Sequence, residues 1–190
     1  MTALMNMETK ELDEKELARK AITDVEAFAE LYQQHVTRVY RYLMAHVGNV
    51  KDAEDLTSQT FMAALEGIRS FRGAGSFAAW IMGIASKKRL MFFRGNRNEV
   101  ALEAADQYPS PSLPTDKAAM QRLRLESIAH ALRQISTERS EAIALIYFSE
   151  LSYAEAAGVM NKNEASVKML VSRGLQDLRE RTSLRMEVEE

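Results

Sequence analysis

The 190 residues carry 25 basic and 27 acidic side chains, a formal net charge of −2. This near balance excludes a protein that coats nucleic acid by bulk charge, so any such binding must use local patches. With no cysteine, the chain has neither a disulfide scaffold nor a thiolate metal site. Its three histidines, His35, His46 and His130, lack metal-ligand spacing on one helix, and no cofactor or metal is expected. No apolar run is long enough to span a bilayer. Residues 1–20 are rich in Glu and Lys and lack the apolar segment of a secretory signal, so a soluble, cytoplasmic protein is expected.

Residues 8–21 read as an acidic helix within an N-terminal extension, 1–23, with an exposed, fraying helix as its plainest account. Next, Phe28, Leu31, Tyr32, Val36, Val39, Tyr40, Leu43 and Val47 recur at spacings of three and four, which predicts an amphipathic helix capped by Asp24. Asp52 is the expected cap of a second helix with Ala53, Leu56, Phe61, Ala64, Leu65 and Ile68 inward. Gly73 and Gly75 break the pattern. Ser76 then opens a third helix, with Phe77, Trp80, Ile81 and Ile84, running to about Phe93 and stopping at Gly95.

All three prolines, Pro109, Pro111 and Pro114, fall together, which marks 98–115 as a linker. It divides a front block, 24–97, from a rear block, 116–190. The rear block predicts a helix from Asp116 to Gln134 with Leu123, Ile128 and Leu132 inward. A second begins near Thr137 and buries Ile143, Leu145 or Ile146, and Phe148. Ser152-Tyr-Ala-Glu155 is a capping box for a short helix through Met160, Asn161-Lys162-Asn163 is a turn, and a last helix runs from Glu164 to about Arg181. No segment holds a period of two, so the expected fold class is all-α: two small helical domains on a flexible Pro-containing linker.

Three features carry chemistry. The short helix, three-residue turn and Asn163-capped helix at 152–175 form a helix–turn–helix, whose second helix can enter a DNA major groove. Ala156, Val159, Met160, Val167 and Leu175 supply its packing; Ser166, Lys168, Met169, Ser172 and Arg173 are candidate contacts to base edges or phosphates. A plain pair of packed helices would share this spacing. Second, the run Ser86-Lys-Lys-Arg89 with Arg94 and Arg97 follows Phe71, Phe77 and Trp80, and aromatic faces beside cations suit single-stranded nucleic acid. Core packing plus a solvated charged face is the competing account. Third, Asp52, Glu54 and Asp55 stand at a helix start, where they complement the dipole or dock a basic partner.

Together these stretches resemble a family. Asp52-Ala-Glu-Asp-Leu56 with Phe61, Ser70-Phe-Arg-Gly73, and Phe77-Ala-Ala-Trp80-Ile-Met-Gly-Ile-Ala85 are similar to the core-binding and −10-recognition domain of extracytoplasmic-function (ECF) sigma factors. Ile146-Tyr-Phe148, Leu151-Ser-Tyr-Ala-Glu-Ala-Ala157, Val167-Lys168 and Ser172-Arg173 resemble their −35-recognition domain. The resemblance implies a non-enzymatic protein that binds core RNA polymerase through Asp52, Asp55 and Gln59. It implies that Phe71, Arg72, Trp80, Lys87, Lys88 and Arg89 meet the melted −10 strand. The second helix of the helix–turn–helix, with Ser166, Lys168, Met169, Ser172 and Arg173, would read the −35 duplex. An anti-sigma factor is a further implied partner. The alternative is a helix–turn–helix regulator, or a sigma-like interaction protein that does not initiate transcription.

The chain departs from the family pattern at Lys87, where Asn is usual, at Met91, where Asp is common, and at Met169-Leu170, where Ser-Arg is common. Lys87 cannot accept a hydrogen bond, and Met169 and Leu170 can offer a base only apolar contact, for instance to a thymine methyl. An altered or relaxed promoter preference is expected. The 18 residues of 98–115 reach at most roughly 60 Å extended, enough for two separate modules to sit at separate DNA sites with Lys168 and Arg173 exposed.

Overall fold

The computed structural model describes the backbone of residues 14–99 and 116–188, and the side chains of 14–95 and 123–181. The described residues are helical, without a strand. After α1 (14–20) come α2 (Val25–Val47), α3 (Val50–Gly67), a 3₁₀ turn (Ile68–Ser70) and α4 (Phe77–Glu99). The rear block holds α5 (Asp116–Arg133), α6 (Thr137–Tyr147), α7 (Tyr153–Met160) and α8 (Glu164–Val188). The proline segment and residues 8–13 lie outside the described residues.

Capping sets the boundaries. Asp24 Oδ1 accepts from the Glu26 N–H at 2.9 Å, as expected for α2. Gly48 closes α2 in the left-handed region (φ 68°), its N–H donating to Met44 O at 2.9 Å. The cap of α3 is Asn49, not Asp52: Asn49 Oδ1 accepts from the Asp52 N–H at 3.1 Å, which puts Asp52 in the first turn. Gly95 does not end α4, which continues to Glu99. One glycine costs a helix only about 1 kcal/mol, too little to stop it unaided. The Ser152–Glu155 capping box forms as read, and Asn163 Oδ1 caps α8 through the Ser166 N–H at 2.8 Å. α8 runs on to Val188, past the expected end.

In the front module α2, α3 and α4 pack around Leu31, Val39, Leu43, Leu56, Phe61, Phe77, Ile81 and Met82. Of the inward residues expected, Tyr32 and Leu65 lie exposed instead. α1 packs on the front module rather than standing exposed: Ala18 and Ala21 are buried, and Glu14 Oε2 accepts from the Phe77 N–H at 3.3 Å while its Oε1 lies 2.6 Å from His35 Nε2. In the rear module α6, α7 and α8 enclose Leu145, Leu151, Ala156, Val167 and Val171. Gly174 lets α8 approach α6, since a Cβ there would fall 2.8 Å from Ile143 Cδ1. Leu123, expected inward on α5, is 63% exposed; Leu132 and Ala129 are buried among the described side chains of α5.

The two helical modules lie in contact. α5 and α6 pack on α2, and α7 packs on α4, so that one core runs through both modules. At Gly48 the helices approach closely: a Cβ there would stand 2.9 Å from Ala129 Cβ. Arg133 donates to the neighbouring Val47 O at 3.2 Å.

Candidate functional site

On α3, Asp52, Asp55 and Gln59 are spaced by three and four, so they share one face. Asp55 and Gln59 are exposed and Asp52 is half-buried. Partial burial, with the Asp55 charge adding to it, pushes the Asp52 carboxyl above its usual range. Exposed Met62 and Leu65 lie further along the helix. The result is an acidic strip that runs into an apolar one, open to a partner with basic and apolar groups.

The segment between the 3₁₀ turn and α4 is built on an aromatic cluster. Phe77 is fully buried, and its ring lies 5.6 Å from that of Phe71 and 5.3 Å from that of Trp80. Phe71 and Trp80, 5.5 Å apart, are half-buried, which leaves part of each face for a ligand; Arg72 beside them is exposed. Ser76 Oγ accepts from the Ala79 N–H at 3.1 Å and so caps α4, as read from the sequence. Ser76 also donates to Glu155 Oε1 of the rear module. Glu155 loses its proton more readily than usual: burial opposes this, but hydrogen bonds from Ser76 and Ser152 outweigh it.

Further along α4, Lys87 is exposed, Lys88 is half-buried and Arg94 is exposed. The side chain of Arg97 lies outside the described residues. Arg89 does not join this face. It is 4% exposed, with a guanidinium nitrogen 2.9 Å from Glu141 Oε2 on α6. Each step along a helix turns about 100°, so adjacent members of a basic run point in different directions, and Arg89 points into the seam between modules. As a DNA contact it is withdrawn in this arrangement.

Glu141 is the residue the sequence reading missed. Tyr42 Oη and Ser86 Oγ each donate to its Oε1 at 2.8 Å, and His46 Nε2 stands 3.2 Å from its Oε2. Burial alone would raise its pKa, but the His46 contact, the Arg89 charge and the Ser86 hydroxyl outweigh that and hold it at about 2. Burial lowers the pKa of His46, which therefore sits as a neutral imidazole at neutral pH. Tyr42 is pushed well above its usual value by burial and by the Glu141 charge, so its hydroxyl stays protonated as a donor. One acid within the apolar run Ser140-Glu-Ala-Ile-Ala-Leu145 was the available signal. Acids are rarely fully buried unless paired.

On α8, Lys168 (57% exposed) and Met169 (50%) face solvent, as do Ser172 and Arg173, while Ser166 is half-buried near the helix start. The last helix is thus not entombed by the packing of the modules. Lys168 Nζ lies 2.6 Å from Glu164 Oε1, which raises its pKa, and 5.5 Å from the centroid of the Tyr153 ring. Ser166, Met169, Leu170 and Arg173 line one side of a groove of about 350 Å³, with Ser136, Glu138 and Arg139 opposite. This surface offers a cation, hydroxyls and apolar edges along one exposed helix, a set suited to the major groove. Among the described residues no group of His, Asp or Glu could hold a metal ion, and no helix is long and apolar enough to cross a membrane.

Residues 31–99 match the family model Sigma-70 region 2, and residues 125–178 match Sigma-70, region 4. The ECF RNA polymerase sigma factor BldN of Streptomyces coelicolor is 33% identical over 159 residues, covering 82% of this chain and 60% of that protein. The ECF RNA polymerase sigma factor SigE of Mycolicibacterium smegmatis is 30% identical over 156 residues, 80% of this chain and 60% of that protein. The chain thus spans 60% of the length of each of these relatives. Among solved structures, CnrH in complex with the cytosolic domain of CnrY superposes with a TM-score of 0.71 at 21% identity, over 93% of this chain and 99% of CnrH. That likeness is one of fold.

Proposed function

This chain belongs to the ECF sigma factors, and on that premise we propose that it binds core RNA polymerase and directs it to a set of promoters by reading −10 and −35 elements. The observation that carries the reading is the presence of both matched regions in order, each with a solvent-facing surface of the right chemistry: the α3 strip in front and the α8 face behind. The front module docks on polymerase through Asp52, Asp55 and Gln59. Phe71, Arg72, Trp80, Lys87 and Lys88 receive the unpaired strand, where an unstacked base gains an aromatic face and its phosphates gain cations. Ser166, Lys168, Met169, Ser172 and Arg173 meet the −35 duplex. The chain itself performs no chemistry; it works in the cytoplasm with polymerase. An anti-sigma protein is a further partner of this reading, in keeping with the fold shared with CnrH, which was solved with a partner chain.

Two experiments test its two halves. Changing Asp52 and Asp55 together to Ala should weaken binding to purified core polymerase roughly tenfold or more, at about 1 kcal/mol for each charge lost from a complementary interface. Unchanged affinity would remove the docking surface. Arg173→Ala should weaken binding to −35 duplexes about equally across sequences and lessen the salt slope by about 1, as loss of a phosphate contact does. A loss confined to a single base position would assign Arg173 to base reading instead.

A further inference from the structure

The seam between the modules is drawn by carboxylates of the rear one. Glu141 Oε1 accepts from Tyr42 and Ser86, and its Oε2, which completes no hydrogen bond among the described residues, lies 3.2 Å from His46 Nε2 and 2.9 Å from an Arg89 guanidinium nitrogen, all of the front module. Glu155 takes Ser76, and Glu150 lies 3.2 Å from Arg41 and 3.8 Å from Arg38. Three acids from α6, α7 and the turn between them thus occupy hydroxyl and guanidinium donors of α2 and α4. Hydroxyls and guanidinium groups are also what a nucleic-acid backbone uses. Glu141 is the buried member of the three; Glu150 is more than half exposed and its pairs are worth little.

The seam is also not saturated. Arg89 Nε is buried and makes no hydrogen bond among the described residues. A buried donor left unpaired works against the closed form. Polar interfaces between domains of one chain are of the kind that opens. Apolar contact adds to these polar links: Ala45 meets Leu132 and Ile135, and the larger core also runs from the front module into the rear.

We propose that Glu141 is an intramolecular latch: it holds the two modules closed by occupying Ser86 and Arg89 of α4, and the chain opens before α4 engages nucleic acid. In the closed form Arg89 cannot reach a phosphate, and Ser76, at the start of the same helix, is held by Glu155. Release of Glu141 adds Arg89 and Ser86 to the donors that α4 already exposes, and it frees the relative placement of the two modules. A DNA phosphate competes with the carboxylate for the same donors, so binding and opening favour each other. The second clause rests on the reading of α4 as a nucleic-acid surface; the latch does not.

The test uses the full chain. It has no native cysteine, so spin labels can be placed at exposed Met62→Cys and Tyr147→Cys, one in each module. Without DNA or polymerase, the parent should give one narrow distance distribution. Glu141→Ala should shift most of it to longer, broader distances at unchanged helical circular dichroism. The exchange Arg89→Glu with Glu141→Arg should restore the narrow distribution. An unshifted distribution in Glu141→Ala would overturn the latch. So would loss of helix in that variant, because a latch between modules leaves each module folded. Affinity for a fluorescent single-stranded oligodeoxynucleotide is measured next. Glu141→Ala should bind more tightly by about the factor by which the closed form outnumbers the open one in the parent. Opening without any gain in affinity would refute the inhibitory half of the proposal. If neither parent nor variant binds the oligonucleotide, the reading of α4 falls while the latch stands.

Discussion

Phe77→Ala should lower the unfolding free energy by about 3–5 kcal/mol, the range for removing a fully buried aromatic ring. The residue has 0% exposure. Its ring lies between those of His35, Phe71 and Trp80, at 5.2, 5.6 and 5.3 Å. Its backbone N–H is held by Glu14 from α1. The ring therefore joins α2 to the aromatic segment before α4, while the backbone link to α1 survives truncation. Truncation leaves a void that rigid helices on several sides cannot collapse into. The loss corresponds to a fall in Tm on the order of 10 °C for a chain of this size. Leu123→Ala, at a residue 63% exposed, should change stability by less than about 0.5 kcal/mol. Urea denaturation of the two variants checks both. A Phe77→Ala loss below 1 kcal/mol would show that the ring is not the centre of the front core.

The second large effect is acid lability through Glu141. In the folded chain this carboxyl is held at about 2, against an ordinary value of 4.5. Its contribution is fully present above pH 4.5 and disappears as the pH falls towards 2. A difference of that size is worth about 3 kcal/mol. His46 acts in the same direction. Buried as the neutral imidazole, it takes up a proton less readily than it does unfolded, so its share is lost as the pH drops below 6.5. The remaining groups against Glu141 are the Tyr42 and Ser86 hydroxyls and the Arg89 guanidinium. Unfolding free energies measured from pH 7 to pH 2.5 should fall more steeply in the parent than in Glu141→Gln, with most of the difference below pH 4.5. Parallel curves would mean that the native carboxylate gains nothing from its partners.

Much of the fold was legible because it is written locally. The spacing of Phe28, Leu31, Val39 and Leu43 fixes one face of α2, and Asp24, Ser152 with Glu155, and Asn163 cap helices as their side chains predict. Asn49 and Asp52 illustrate the limit. Both are good capping residues three positions apart, and the sequence pattern suits either. The candidate contacts followed the same division. Asp52, Asp55 and Gln59, and Lys168, Ser172 and Arg173, take their places from helical spacing within one element. Arg89 and Lys88 differ by one residue, and only the packing of α6 decides which is covered. The partners of Glu141 lie 99 residues away at Tyr42 and 55 away at Ser86. Periodicity treats a lone acid in an apolar run as a solvent-facing position. For the same reason the prolines marked a linker between two modules, while the seam itself left no local mark.

Run-off transcription with purified core polymerase and a library of genomic fragments tests the account most directly. Core with this chain should start transcripts at a restricted set of sites that core alone does not use, and the Asp52→Ala, Asp55→Ala variant should lose most of that output. Binding to core without any new start site would contradict the account and leave an adaptor that holds polymerase but reads no promoter.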